Sequence, residues 1–215
     1  MSVISKTTIK EQLYSELKQR ILDRKYMPGD KLVIDRLVSE LAVSNTPIRE
    51  ALSMLESDGL VVTTPNSGIR VVEMNAAILN DVSQAAYVML AGGYDLCRRL
   101  GLEKALIELM RDRLERQLRL LGKGDSVKFL QAAIVFDKSF IDVTGNKRLV
   151  TMFDRQAEVF FLAVAGRNRD ARQIEENTKD HRDMLEAVNR DDARALEEIL
   201  ARHYRQNPKP VTGVA

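Results

Sequence analysis

Asp137, His181 and His203 are the side chains of this 215-residue chain whose types and placement suit metal chemistry. Each interrupts an apolar helical row, where a polar group needs a partner. In the stretch from Ser126 to Thr144, Leu130, Ala133, Ile134 and Ile141 define an inner face with Asp137 in its middle. Ile174, Thr178, Leu185 and Val188 define a face that includes His181, and His203 continues the row of Leu196, Ile199 and Leu200. The chain has no other histidine. A carboxylate and two imidazoles converging from three helices suit a divalent transition metal such as Zn, Ni or Mn, with coordination positions left for a ligand. Periodicity does not establish convergence, and the same residues fit hydrogen-bonded core positions, with Asp137 paired to an arginine or protonated. A catalytic ion, as in a metal-dependent enzyme, also needs a general base or nucleophile beside it. No motif of that kind is readable, so the residues point away from an enzyme.

A second group with chemistry lies between Leu32 and Val72. Leu37 and Leu41 are one helical turn apart, and a sharp turn at Ala42-Val43 leads to Ser44, a good N-cap. The helix that starts there tolerates Pro47 in its first turn, carries the apolar stripe Ile48, Ala51, Leu52 and Leu55, and ends at Gly59. Leu60 to Thr63 and Ile69 to Val72 are β-rich runs separated by the turn formers of Thr64-Pro65-Asn66-Ser67-Gly68. This order predicts a winged helix-turn-helix with a two-stranded wing. Burying the stripe leaves Asn45, Thr46 and Arg49 facing outward at the end of the second helix that reaches base edges, and Arg49 suits guanine O6 and N7. Ser44, Lys31, Arg36, Arg70 and the wing-tip residues Asn66, Ser67 and Gly68 complete the expected DNA contacts. Residues 1–72 carry ten Lys/Arg against nine Asp/Glu, a net of +1. Phosphate contacts must therefore come from a local arrangement and not from a general positive field. Two modules on a two-fold axis would double those contacts and match a palindromic duplex operator.

Ile9, Leu13, Leu17, Ile21 and Leu22 predict a first amphipathic helix from Thr8 to Lys25, preceded by a patternless, mobile arm over residues 1–7. Residues 1–72 thus form the DNA-binding domain and 73–76 a short linker. Residues 77–207 form an all-α bundle, divided by Gly101, Gly122 to Gly124, Gly145, Gly166 to Asn168 and Asn189 to Asp191 into about six segments. Residues 208–215, with Pro208 and Pro210 at or near their start, read as a disordered tail. The fold class is mainly α. Gly92-Gly93 lies inside the first bundle segment and should weaken or bend it, at about 1 kcal/mol per Gly relative to Ala. Cys97 is the lone cysteine, which excludes an intrachain disulfide and reads as a small buried residue. No apolar run approaches the roughly 20 residues of a membrane span and no signal-like segment opens the chain, which implies a cytoplasmic protein with no membrane partner.

Pro28-Gly29-Asp30, the run Leu41-Ala42-Val43-Ser44-Asn45-Thr46-Pro47-Ile48-Arg49-Glu50-Ala51-Leu52, and Leu55-Glu56-Ser57-Asp58-Gly59-Leu60 together resemble GntR-family repressors. The remainder resembles that family's FadR-type (FCD) effector domain, so nearly the full length is covered. The resemblance implies a homodimeric, ligand-responsive transcriptional repressor, released from its operator when a small molecule, by the family's usual class a carboxylate, enters the helical domain. The family usually has Arg where this chain has Asn45, which implies a contact to adenine N6 and N7 in place of guanine. The family's metal site looks like an Asp and a His one turn apart, then two further His. The 22-residue step from His181 to His203 matches, and Phe136-Asp137 ahead of Thr144-Gly145-Asn146 aligns Asp137 with the first histidine and Ala133 with the aspartate. One ligand is thus lost and another exchanged. Gln156, near the inward row of Leu149, Phe153 and Phe160, joins Asn177 and Tyr87 as an effector-pocket candidate. The arginine expected on the first effector helix is missing, which predicts a more apolar pocket. A metal-free regulator taking an apolar or larger ligand is the alternative reading.

Overall fold

The computed structural model describes residues 8–65, 67–73, 75–165 and 171–204, in two compact units, Met1–Asn75 and Ala76–Ala215. Asn66, the arm over 1–7, the break at Gly166 to Asn168 and the tail over 208–215 lie outside the described residues.

In the first unit, helix α1 (Ile9–Leu22) starts at a capping box in which the Thr8 hydroxyl accepts from the Glu11 backbone N–H and the Glu11 carboxylate accepts from that of Thr8. It buries Leu13, Leu17 and Ile21 and packs on the helix α3 (Asn45–Ser57). It ends three residues before Lys25, because Arg24 takes a φ of 61° and turns the chain. Helix α2 (Ile34–Leu41) closes on Ala42 in the left-handed region, which is the sharp turn, and α3 (Asn45–Ser57) follows. Ser44 has the extended backbone of an N-cap, but its side chain makes no capping bond. Ile48, Ala51, Leu52 and Leu55 are buried as their spacing requires. Strands β2 (Val61–Thr64) and β3 (Gly68–Val71) pair antiparallel as the wing, with Val61 opposite Val71 and Thr64 opposite Gly68. A further strand, β1 (Lys31–Leu32), pairs with the other edge of β3, giving the order β1-β3-β2. Two residues are too few to show an alternation in sequence.

The second unit is helical among its described residues. Helix α4 (Ala76–Arg99) begins inside the expected linker and runs unbroken through Gly92-Gly93. The two glycines differ. A Cβ on Gly93 would lie 2.6 Å from the Phe140 carbonyl oxygen and 3.0 Å from Ile141 Cδ1, whereas one on Gly92 would meet open space. Gly93 therefore lets the backbone of α7 (Ser139–Asp142) approach α4. Gly93→Ala is expected to destabilise the protein by about 1–3 kcal/mol through overpacking. Gly92→Ala should instead stabilise it by about 1 kcal/mol; denaturant midpoints of the two variants check both signs.

The remaining helices are α5 (Glu103–Leu118), α6 (Ser126–Asp137), α8 (Lys147–Ala165), α9 (Ala171–Asn189) and α10 (Ala193–His203). The third expected segment is thus two helices that meet at Lys138. α4 packs on α7 and α8, α5 on α6 and α9, and α9 on α10. Leu90, Leu106, Met110, Phe136, Phe140, Met184 and Leu200 fill the core between them. Cys97 is fully buried there, and burial pushes its thiol up to about 11. The native thiol should resist a disulfide reagent at pH 8 and react only on unfolding. Because the unfolded thiol ionises first, stability should fall as pH rises from about 9 toward 11. No described helix is long and apolar enough to cross a membrane.

Candidate metal centre and nucleic-acid interface

Three helices deliver the three candidate donors to one point. Asp137 is the last residue of α6, His181 lies midway along α9, and His203 is the last residue of α10. Each offers one donor atom, and these atoms all lie within 4.8 Å of one another. His181 Nε2 is 3.4 Å from Asp137 Oδ1, and His203 Nε2 is 4.0 Å from Asp137 Oδ2. Phe136 stacks on the His181 ring with centroids 4.2 Å apart, fixing its plane.

Proton placement follows from Asp180, an acceptor-only group when ionised. Burial works against that charge, but the His203 and Arg202 bonds outweigh it and hold the carboxyl below the ordinary range. His203 Nδ1, 3.1 Å away, must then donate to Asp180 Oδ2, and in the neutral form that binds a metal this leaves Nε2 as an acceptor. Asn177 accordingly turns its amide nitrogen toward that Nε2, at 3.5 Å, and its oxygen accepts from Gln117 Nε2 at 3.0 Å. Gln117 Oε1 in turn accepts from His181 Nδ1 at 2.7 Å. The chain therefore ends with the lone pair of His181 Nε2 facing Asp137 Oδ1. Both atoms are buried and neither has a hydrogen-bond partner. Burial also drives the His181 imidazolium below its usual pKa, against the pull of Asp137. Burial raises that of Asp137, but the positive charge and hydrogen bond that a protonated His181 offers, the charge of a protonated His203 and the Tyr204 hydroxyl, which donates to Oδ2 at 2.7 Å, outweigh it and leave a net lowering. With both rings neutral, the carboxylate and the two Nε2 atoms, one of them held only by the 3.5 Å contact with Asn177, form a donor set that a divalent cation satisfies.

A cavity of about 760 Å³ opens beside these donors, and Asp137, His203, Asn177, Tyr204 and Ala133 form part of its wall. His181 stands behind them and does not line it. The wall also carries Asn80, Ser83, Gln173, Lys179 and Arg202 beside Leu79, Leu130, Ile134 and Val164, a mixed polar and apolar lining. Of the three effector-pocket candidates, only Asn177 lines this cavity. Gln156 borders a separate crevice of about 10 Å³ with Phe153, Phe160 and Tyr204. Tyr87 lines neither, and its hydroxyl points instead to Glu197, at 3.4 Å. Sequence reasoning missed Gln117, Asp180 and Tyr204. Gln117 had a readable signal, since it continues the buried row Leu106, Met110 and Leu114 of α5.

On the first unit, Ser44, Asn45, Thr46 and Arg49 are exposed at the start of α3, and Lys31 and Arg36 are exposed as well. Asn45 Oδ1 accepts from Arg49 Nε at 2.6 Å. Ser67 and Gly68 are half-buried in the wing turn, where the Ser67 N–H donates to the Thr64 carbonyl. Arg70 is already partly engaged within the module. It is half-buried on β3, and its Nη1 donates to the Gly29 carbonyl at 2.9 Å.

Comparison with known proteins places both halves. Residues 9–71 match "Bacterial regulatory proteins, gntR family", and residues 96–206 match the FCD domain. Over the whole length the chain is similar to the Uxu operon transcriptional regulator of Escherichia coli K12, with 26% identity over 90% of this chain and 82% of that protein. It is likewise similar to the HTH-type transcriptional repressor GlaR of the same strain, with 26% identity over 92% and 93%. The solved structure of E. coli McbR/YncC shares the fold, with a TM-score of 0.71 and 21% identity over 94% of this chain and 95% of that one.

Proposed function

Because the chain belongs to the gntR family of bacterial regulatory proteins, with an FCD domain as its helical half, we propose that this transcriptional regulator is a cytoplasmic, homodimeric repressor of a palindromic operator. A small carboxylate entering the helical unit releases it. Asp137, His181 and His203 hold a divalent transition ion such as Zn, Ni or Mn, which when bound supplies a Lewis-acidic anchor for the carboxylate. The observation that carries this reading is the buried facing of Asp137 Oδ1 and the His181 Nε2 lone pair, unpartnered beside a cavity of ligand size. Ala133 leaves that side of the centre open, and Lys179 on the wall complements an anion. The polar members of the wall, Asn177 among them, orient the ligand. Release requires the effector to bind the DNA-free state more tightly, since a ligand indifferent to the two states shifts nothing.

Elemental analysis of protein purified without chelator or metal-affinity resin tests the centre, alongside an Asp137→Ala, His181→Ala, His203→Ala triple variant. The expected result is near one ion per subunit in the parent and none in the variant. No metal in either, even after addition of Zn, Ni or Mn, overturns the metal anchor and turns the effector search to metal-free binding of apolar or larger ligands.

A further inference from the structure

The bond between Asn45 and Arg49 changes what each can do at a base edge. Asn45 is the first residue of α3 and Arg49 lies one turn later on the same exposed face. The guanidinium Nε–H is a donor only, so the atom of Asn45 that faces it at 2.6 Å must be the amide oxygen. Adenine readout by an asparagine requires that oxygen to accept from N6 while its nitrogen donates to N7, both in the plane of the base. Here the oxygen is aimed at residue 49. The same bond takes Nε from Arg49 and leaves its terminal Nη1 and Nη2 groups as a fork, the geometry that matches guanine O6 and N7. It also restrains a long side chain whose freedom would otherwise be lost at the moment of binding.

We propose that Asn45 is a positioning residue that aims Arg49 at a guanine of the operator half-site, and that it does not itself select a base. This inference rests on the reading of the chain as an operator-binding regulator. It also revises the adenine contact implied where the family usually has arginine.

The test is selection from a pool of random duplex DNA by the full-length protein and its Asn45→Asp, Asn45→Ala and Arg49→Ala variants, read as base preference at each position of the enriched site. Preference is the readout because a carboxylate at position 45 lowers overall affinity for the phosphate backbone. Asn45→Asp keeps the acceptor for Nε but cannot donate to adenine N7. It should therefore retain the parent's site, including the guanine that disappears in Arg49→Ala. Asn45→Ala should relax that guanine preference by about five- to tenfold while other positions hold. The proposal is overturned if Asn45→Asp switches the base at a position that Arg49→Ala leaves unchanged, for a base-selecting Asn45 predicts that switch. It is equally overturned if Asn45→Ala leaves the guanine preference intact. If the folded parent enriches no site at all, the operator-binding reading fails and takes the proposal with it. Both side chains are exposed in the parent, so none of the variants removes a core contact.

Discussion

Alanine at His181 is expected to lower the affinity for Zn, Ni or Mn by more than about a hundredfold. Loss of an outer partner of a metal-bound histidine typically costs about 10- to 100-fold, and in the proposed centre His181 is a donor itself. Gln117→Ala supplies the internal scale. It removes the acceptor that keeps His181 in the Nδ1–H tautomer but leaves all three donors, so its loss should fall within that lower range. Competition against a chromophoric chelator gives both numbers. A loss in His181→Ala no greater than in Gln117→Ala would remove His181 from the ligand set. The variant also strands Gln117 Oε1 without a donor, at about 1–3 kcal/mol of stability. The titration therefore belongs at a temperature where circular dichroism shows both variants folded.

Arg49→Ala is expected to cost about a hundredfold or more in affinity for the operator. A bidentate arginine–guanine contact is worth about 1–3 kcal/mol, and a two-fold-symmetric complex loses it in both half-sites. The remaining phosphate contacts keep binding to unrelated duplex nearly unchanged. Salt dependence separates the two roles on the surface. Arg36→Ala should weaken binding to all sequences and reduce the slope of log affinity against log salt by about one per site. Arg49→Ala should leave that slope close to the parent's. Equal losses on operator and unrelated DNA would reassign Arg49 to the backbone.

How much of this was readable in advance depended on the kind of interaction. The winged module was legible because its order is local: the stripe Ile48, Ala51, Leu52 and Leu55 fixes one helical face, and Gly59 with its φ of 75° marks the end. The three donors were legible as polar interruptions of apolar rows, a signal that burial creates. Their convergence was not, since no periodicity reports which helices are neighbours. The same blindness hid Asp180 and Tyr204, whose parts depend on packing between α9 and α10 and across to α6. The Arg70 bond to the Gly29 carbonyl was likewise hidden, since the two are 41 residues apart in sequence. The glycine pair shows the limit most sharply. Sequence marked both as helix-weakening, and only the approach of Phe140 separates the one that is needed from the one that is not.

That approach has a mechanical meaning. A contact with no space for a methyl group leaves α4 and α7 little slack at that point. Asp137 is joined to α7 through the single residue Lys138, whose ammonium is held by Asp154 of α8 at 2.6 Å. A displacement of Asp137 would therefore bear first on α7 and, at Gly93, on α4. The first turn of α4 is also where the helical unit begins in the chain.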